Sequence, residues 1–486
     1  MYGMRKWVIL ALSVSVLFLF SAPVARAELF GPVNNETEFL DALEIANGSD
    51  SADTILMAAE TFDFSNTTIT HNNQSTGNLA IIGAGEALTI LDGGGVNQII
   101  NINISAGPGN TTLIFLKDMT LQNGSSPSGG GAAAIRTLTA DLLVDHVRFL
   151  ENESVNSRGG GLYFQTSSGD MEVKNSWFYS NHTTGAPNTG GGGMYASLQS
   201  TGSAAIEESN FEKNFANAGP GGGAMVVAAE GTITVERDSF TDNDALSSQG
   251  GGLYVQTLGP GGVVEVENCL FAGNEANLGG GLNTTADSGS LSVVNVTAVS
   301  NSTAIGAGAM YATLYTATAT LEIYNSIFHN NTIGGVAGQD IYVTSNDNGP
   351  VTVQYNSYED LFVTGVGVLT ETHNIDVDPL LDSGYMLSAG SSCIDAGSSF
   401  LAGGSFDLAG NDRVVDDPAT VDTGNGIPAV DMGAYEFQPS SSGGGGGGGG
   451  CNTAGPAPGE PFWPEMLWIV LLAGIFMLMR RRVTEK

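Results

Sequence analysis

Cysteine and basic side chains are scarce in this sequence. Its 486 residues hold three cysteines, Cys269, Cys393 and Cys451. That excludes a disulfide framework, so stability has to come from packing. Lysine and arginine total 15 against 50 aspartates and glutamates, a net charge of −35. Only eight of the bases fall within 28–439: Lys117, Arg136, Arg148, Arg158, Lys174, Lys213, Arg237 and Arg413. Such a chain repels nucleic acid and anionic membrane, so no nucleic-acid partner is expected. It does attract divalent cations, of which calcium is the one expected outside the cell. Long apolar runs are missing too. Neither 7–20 nor 466–479 comfortably spans the ~30 Å of a bilayer core.

Both ends nevertheless read as export and anchoring signals. Arg5-Lys6, the apolar 7–20 stretch and the end Ala25-Arg26-Ala27 have the layout of a secretory signal cut after Ala27. At the other end stand the glycine run 443–450, Cys451, a proline-rich spacer, the apolar 466–479 stretch and Arg480-Arg481-Arg482. Arginines placed there keep that end in the cytoplasm and the rest outside. A retained membrane anchor behind a flexible linker is one reading. The other comes from a resemblance to bacterial tripartite sorting signals of the GlyGly-CTERM kind. It implies that a sorting protease acts at the Gly450–Cys451 region and that a lipid is placed on Cys451. Both readings tether the chain to a bacterial cell surface, the outer membrane of a Gram-negative cell being expected.

A repeat lies between the ends. The pattern Phe-x-x-Asn recurs at Phe149/Asn152, Phe178/Asn181, Phe211/Asn214, Phe240/Asn243, Phe271/Asn274 and Phe328/Asn331, with Ala298/Asn301 filling the gap. Successive asparagines are 29, 33, 29, 31, 27 and 30 residues apart, and a glycine cluster follows most of them. Seven and five positions before the Phe, every copy is apolar (Leu142 and Val144, Met171 and Val173, Ile233 and Val235 among them), while the position between is mostly polar or small. Period-2 alternation means a strand with one buried face. The parity changes before the Phe, so a bend separates two strands, and asparagines (Asn175, Asn268, Asn295, Asn325) crowd that bend.

A unit of this length with short strands, glycine turns and no helical pattern is one coil of a parallel β-helix. The expected fold is all-β, a single-stranded right-handed parallel β-helix. Phe and Asn should stack as ladders along it. A β-propeller would need four strands in a longer unit, and leucine-rich spacing is absent. The expected organisation is a signal at 1–27, an N-terminal cap at 28–77 carrying a short amphipathic helix around Phe39, coils at 78–365 with Asn123 continuing the asparagine ladder backwards, a C-terminal cap at 366–438, a linker at 439–465 and an anchor with its arginines at 466–482.

The paired Phe-x-x-Asn and Gly-Gly-x-apolar motifs resemble the repeats of chlamydial polymorphic outer-membrane proteins, which are adhesins, although the β-barrel of that family is missing. A wider resemblance is to the choice-of-anchor Q domain proteins. Asp378-Pro379-Leu380-Leu381, Ser392-Cys393-Ile394-Asp395-Ala396-Gly397, Asp407-x-x-Gly410-Asn411-x-Arg413 and Asp431-Met432-Gly433-Ala434-Tyr435-Glu436 carry it. It implies a pectin-lyase-like β-helix on a bacterial surface.

Such folds include lyases and hydrolases of acidic polysaccharides, so two functions are in play. A hydrolase needs two carboxylates facing one sugar, and a lyase needs a base beside the substrate. The repeats place Glu172, Glu265 and Glu322 in one polar column, read as a solvated outer face, and align no bases. The glycine tracts lack the lysine of a phosphate loop, and His71, His146, His182, His329 and His373 are scattered. The reading is therefore a non-catalytic adhesin or glycan-binding surface protein with no catalytic residues assigned, the alternative being a polysaccharide lyase or hydrolase. Tyr163, Tyr195 and Tyr254 recur one coil apart, as wall packing or as a stripe on which sugars stack. Asp407, Asn411, Asp412, Asp416, Asp417 and Asp422 crowd around Arg413, either as calcium ligands or as an ordinary acidic loop. Arg413 is expected to be a buried ion-pair partner, and Cys269 a small ladder residue.

Overall fold

The computed structural model describes residues 27–48, 51–73, 77–105, 112–185 and 189–439. The expected anchor residues Gly450 and Cys451 lie outside the described residues, as does all of the signal before Ala27.

The described chain is a right-handed parallel β-helix of about eleven turns. Each regular coil has four short strands. In one coil they are Leu162–Thr166, Met171–Lys174, Trp177–Tyr179 and His182–Thr184. They pair in parallel with Met194–Leu198, Ala204–Glu207, Asn210–Glu212 and Phe215–Ala216 of the next. These series are the first, second, third and fourth walls. Alternation decides which face is buried: Leu162, Phe164 and Thr166 point inward, as do Met171 and Val173, while Tyr163, Gln165 and Glu172 point out.

The bend expected three residues before each Phe is a single left-handed residue. His146, Asn175, Glu208, Arg237, Asn268, Asn295 and Asn325 all have φ between 50° and 55°. Asparagine adopts that region most easily, which explains its enrichment there. A second left-handed residue precedes each ladder asparagine, as at Glu151, Ser180, Lys213 and Asp242. Turning the chain at those neighbours leaves the ladder asparagines free to point inward. The glycine turns serve close approach as well as φ: a Cβ on Gly222 would lie 2.3 Å from the Gly251 carbonyl oxygen of the next coil.

Two ladders run through the interior. Phe149, Phe178, Phe211, Phe240 and Phe271 stack with ring centroids 4.5–5.0 Å apart and planes within 8° of parallel. The asparagine ladder is saturated. The Nδ2 of Asn214 donates to Phe178 O at 2.8 Å and to Asn243 Oδ1 at 3.0 Å. Its Oδ1 accepts from Asn181 N and Asn181 Nδ2, both at 3.0 Å. The same set repeats from Asn152 to Asn331 through Asn181, Asn243, Asn274 and Asn301. Between asparagines donation runs toward the C-terminal end, so the last amide needs an acceptor from outside the ladder. Asp340 supplies it, taking Asn331 Nδ2 at 2.8 Å on Oδ1 and Glu359 N at 2.7 Å on Oδ2.

Burial pushes the Asp340 carboxyl up to about 6 despite those bonds. An acid whose pKa rises on folding from 3.8 to about 6 releases its proton later when folded. Its contribution to stability is complete below about 4 and is lost as pH rises through 6. Denaturant unfolding should therefore show a fall in stability between pH 4 and 6.5 that is smaller in Asp340→Asn; an equal fall in both proteins would contradict it.

The structure corrects the sequence reading at both ends of the coil stack and once in the ladder; at the far end Leu369–Thr372 still pairs with Val351–Gln354, past the expected boundary at 365. The coil stack begins before residue 78, because Asp53–Met57, Thr61–Asp63 and Ile69–Asn73 already pair with the next coil. The helix Glu36–Asn47, capped at Asn35, packs Phe39, Ala42, Leu43 and Ala46 against that earlier coil. Asn123 is not a ladder member. The register aligns Leu121 with Phe149, so Gly124 takes the ladder position and its N–H donates to Asn152 Oδ1 at 2.7 Å.

The segment after the last coil folds back along the third wall. Leu381, Tyr385 and Leu408 cover the outward-facing Leu270, Ala272 and Val299. Leu387, Cys393, Ile394, Ala396 and Met432 cluster with Ile327 and Tyr355. The bend asparagines hold it: Asn268 and Asn295 each donate to Gly403 O at 3.2 Å, and Asn325 exchanges two bonds with Ser398.

Candidate functional site

An open groove of about 500 Å³ lies where the first wall turns into the second. Register builds it. Asn72, Asn103, Arg136 and Gln165 are successive partners in one outward column of the first wall, and Ile104, Ser105, Thr137, Leu138, Thr166, Ser167 and Gln199 form the corner beside it. Amides bridge the coils, Asn103 Nδ2 donating to Asn72 Oδ1 at 3.1 Å and to Asn101 Oδ1 at 3.2 Å. The Arg136 guanidinium lies over the Tyr163 ring, 4.7 Å from its centroid, and donates to Asn101 Oδ1 and Ser128 O. Tyr163 in turn donates to Gln165 Oε1 at 2.9 Å.

Among the described residues no carboxylate lines this groove. In a chain of 50 acidic residues that is unexpected. Its chemistry is one stacked arginine, amides and hydroxyls, suited to an anionic or hydroxyl-rich ligand. It offers no pair of carboxylates for glycoside hydrolysis. Acids gather instead on the second wall, where Asp145, Lys174, Glu207, Glu236 and Glu267 form one outward column. Burial and neighbouring carboxylates raise Glu207 and Glu267, while Arg237 pairs with Glu208 and Glu236.

The tyrosines expected to recur do share a column, but Tyr195 and Tyr254 are only 4% and 8% exposed. They cluster with Met225, and Arg158 covers the Tyr195 ring, 4.8 Å from its centroid. This column is wall packing; only Tyr163 borders the groove. Glu172, Glu265 and Glu322 occupy the outward column expected of them. Cys269 is buried, its thiol donating to Glu267 O at 3.1 Å, and burial raises its pKa well above the usual thiol range.

The acidic set around Arg413 divides into two groups. Arg413 is fully buried, donates to Gly433 O and stands 3.9 Å from Glu436, too far for a hydrogen-bonded pair. Burial and Asp431 raise the Glu436 carboxyl. Asp407 accepts Asn411 N at 2.7 Å, Asn411 Nδ2 at 3.2 Å and Glu436 N at 3.0 Å, so both residues brace this buried knot. Asp412 bridges Phe406, and Asp417 caps its own turn through Ala419 N and Thr420 Oγ1. Asp416 and Asp422 instead converge on Asp395, with one oxygen of each of the three within 4.8 Å of the others. Asp395 was not among the acids that the sequence singled out as calcium ligands; the apolar run Cys393-Ile394-Asp395-Ala396 was the available signal that its side chain is buried.

Stacked coils, inward ladders and an outward groove define this chain as a right-handed parallel β-helix protein. Residues 195–379 match the family model for a right handed beta helix region. No curated protein and no solved structure matches the chain.

Proposed function

We propose that this protein is a non-catalytic, surface-tethered β-helix that binds acidic glycan in the groove of its first wall, as an adhesin or structural surface protein. The carboxylate-free lining around Arg136 carries the reading. Column positions recur every ~4.8 Å along the coil axis, so an extended polysaccharide lying along the groove meets one outward side chain per coil. Arg136 binds a uronate or sulfate group, and Asn72, Asn103 and Gln165 bind hydroxyls. Export and tethering rest on the Ala25-Arg26-Ala27 end and the glycine–Cys451–apolar–arginine tail, and the choice-of-anchor Q motifs support the same placement. The binding partners are glycans of a host or neighbouring cell.

Arg136→Ala should weaken binding of an acidic oligosaccharide such as oligogalacturonate about 10- to 100-fold, the worth of one charge-assisted hydrogen bond. The parent affinity should fall as salt is added. Equal affinity of parent and variant in calorimetry would move the site off the groove. Cleavage of the oligosaccharide would favour the lyase or hydrolase alternative.

A further inference from the structure

We propose that Asp395, Asp416 and Asp422 form a calcium site that pins the back-folded C-terminal segment. Asp395 belongs to the packed part of that segment and is fully buried. Asp416 and Asp422 stand on the exposed acidic loop. One carboxylate oxygen from each of the three lies within 4.8 Å of the other two. Among the described residues no lysine, arginine or histidine forms an ion pair with any of them.

The second observation concerns Asp395 itself. Its Oδ1 is buried and accepts no hydrogen bond, and its Oδ2 takes only a long 3.3 Å bond from Asp417 N. A buried, underbonded carboxylate oxygen beside two more carboxylates is costly unless a cation meets it. The backbone holds the group in place. Asp395 adopts φ 51°, its N–H donates to Asp431 Oδ1 at 2.7 Å, and its carbonyl accepts Thr423 N and Gly424 N at 3.0 Å. The loop is thus already latched to the Asp395 backbone, and the cation joins their side chains.

The donor set selects the ion. All three ligands are hard oxygens with no thiol or imidazole, which disfavours zinc and copper. Two of the three are exposed, leaving room for the water ligands of a six- to eight-coordinate ion. Calcium accepts that irregular geometry at 2.3–2.6 Å, whereas magnesium demands a near-ideal octahedron. Asp431 and Asp417, the nearest further acids, spend their oxygens on backbone N–H groups and the Thr420 hydroxyl, so they support the site without ligating.

The test uses the full-length chain freed of metal with chelator. Calcium should bind one saturable site in calorimetry and raise Tm, as any ligand of the folded state must. The double variant Asp416→Asn/Asp422→Asn changes only exposed side chains, so its fold is expected to survive. It should bind calcium at least tenfold more weakly and lose most of the Tm rise. Asp395→Asn should do the same with no loss of metal-free stability, because it neutralises the buried, underbonded carboxylate. Calcium binding as tight in the double variant as in the parent overturns the site, as does the lack of any saturable binding in the parent. Equal affinity for magnesium overturns the choice of ion.

Discussion

Asn214→Ala should destabilise the protein by about 3–6 kcal/mol, more than most surface or even core truncations. The figure follows from the groups left behind. The alanine removes the acceptor of Asn181 N and Asn181 Nδ2 and the donor to Phe178 O and Asn243 Oδ1. The site is buried, Asn214 being 1% exposed, so no water replaces those partners. Each buried group left unpaired costs about 1–3 kcal/mol. Asn214→Asp separates geometry from chemistry. It keeps the acceptor but presents oxygen to Phe178 O and Asn243 Oδ1, and at pH 7 it buries a charge, so it should be at least as damaging as alanine. Denaturant melts would contradict the ladder account if Asn214→Ala cost under about 1 kcal/mol, the range of an ordinary exposed substitution.

The second large effect is expected at Phe211→Ala. Phe211 sits 4.6 Å from Phe178 and 4.8 Å from Phe240 in the continuous stack, so the truncation opens a cavity bounded by two flat rings that cannot close it. A loss of about 3–5 kcal/mol follows from buried Phe truncations generally. Phe211→Leu should recover roughly half by refilling volume while losing the stacking geometry. Because neighbouring coils share only local interfaces, either variant should broaden the unfolding transition as the coils on the two sides uncouple. A single sharp transition at the parent midpoint would contradict this.

Most of the wall was legible in the sequence because a β-helix writes its geometry into columns. The apolar pair seven and five residues before each Phe, the Phe and the Asn fell where register puts them, since each must fill the same space one coil higher. The failures share a cause: they lie where neighbours along the sequence do not determine neighbours in space. Asn123 looked like a ladder asparagine by spacing, but a one-residue offset makes it the left-handed turn residue and Gly124 the ladder position. The first coil was missed because Ile55, Phe62 and Ile69 face the core without a Phe-x-x-Asn mark. Tyr195 and Tyr254 occupy outward positions and are buried all the same, because other side chains pack across the wall.

The acidic segment after the coils was harder still. Six polar residues near Arg413 looked like one cluster, but the chain sends Asp407 and Asn411 to a buried hydrogen-bonded knot and Asp416 and Asp422 to Asp395. Only the fold brings together residues this far apart in the chain. The same holds for the groove, where coil stacking sets Asn72 and Gln165 in one column and no local motif marks either.

The glycan-binding reading is tested most directly by incubating the full-length protein with a panel of acidic polysaccharides and measuring, in the same samples, retained polymer and new chain ends. The account predicts saturable binding of at least one polymer, weakened in Arg136→Ala, with no new reducing or unsaturated ends. Reproducible new ends from the parent protein would contradict it.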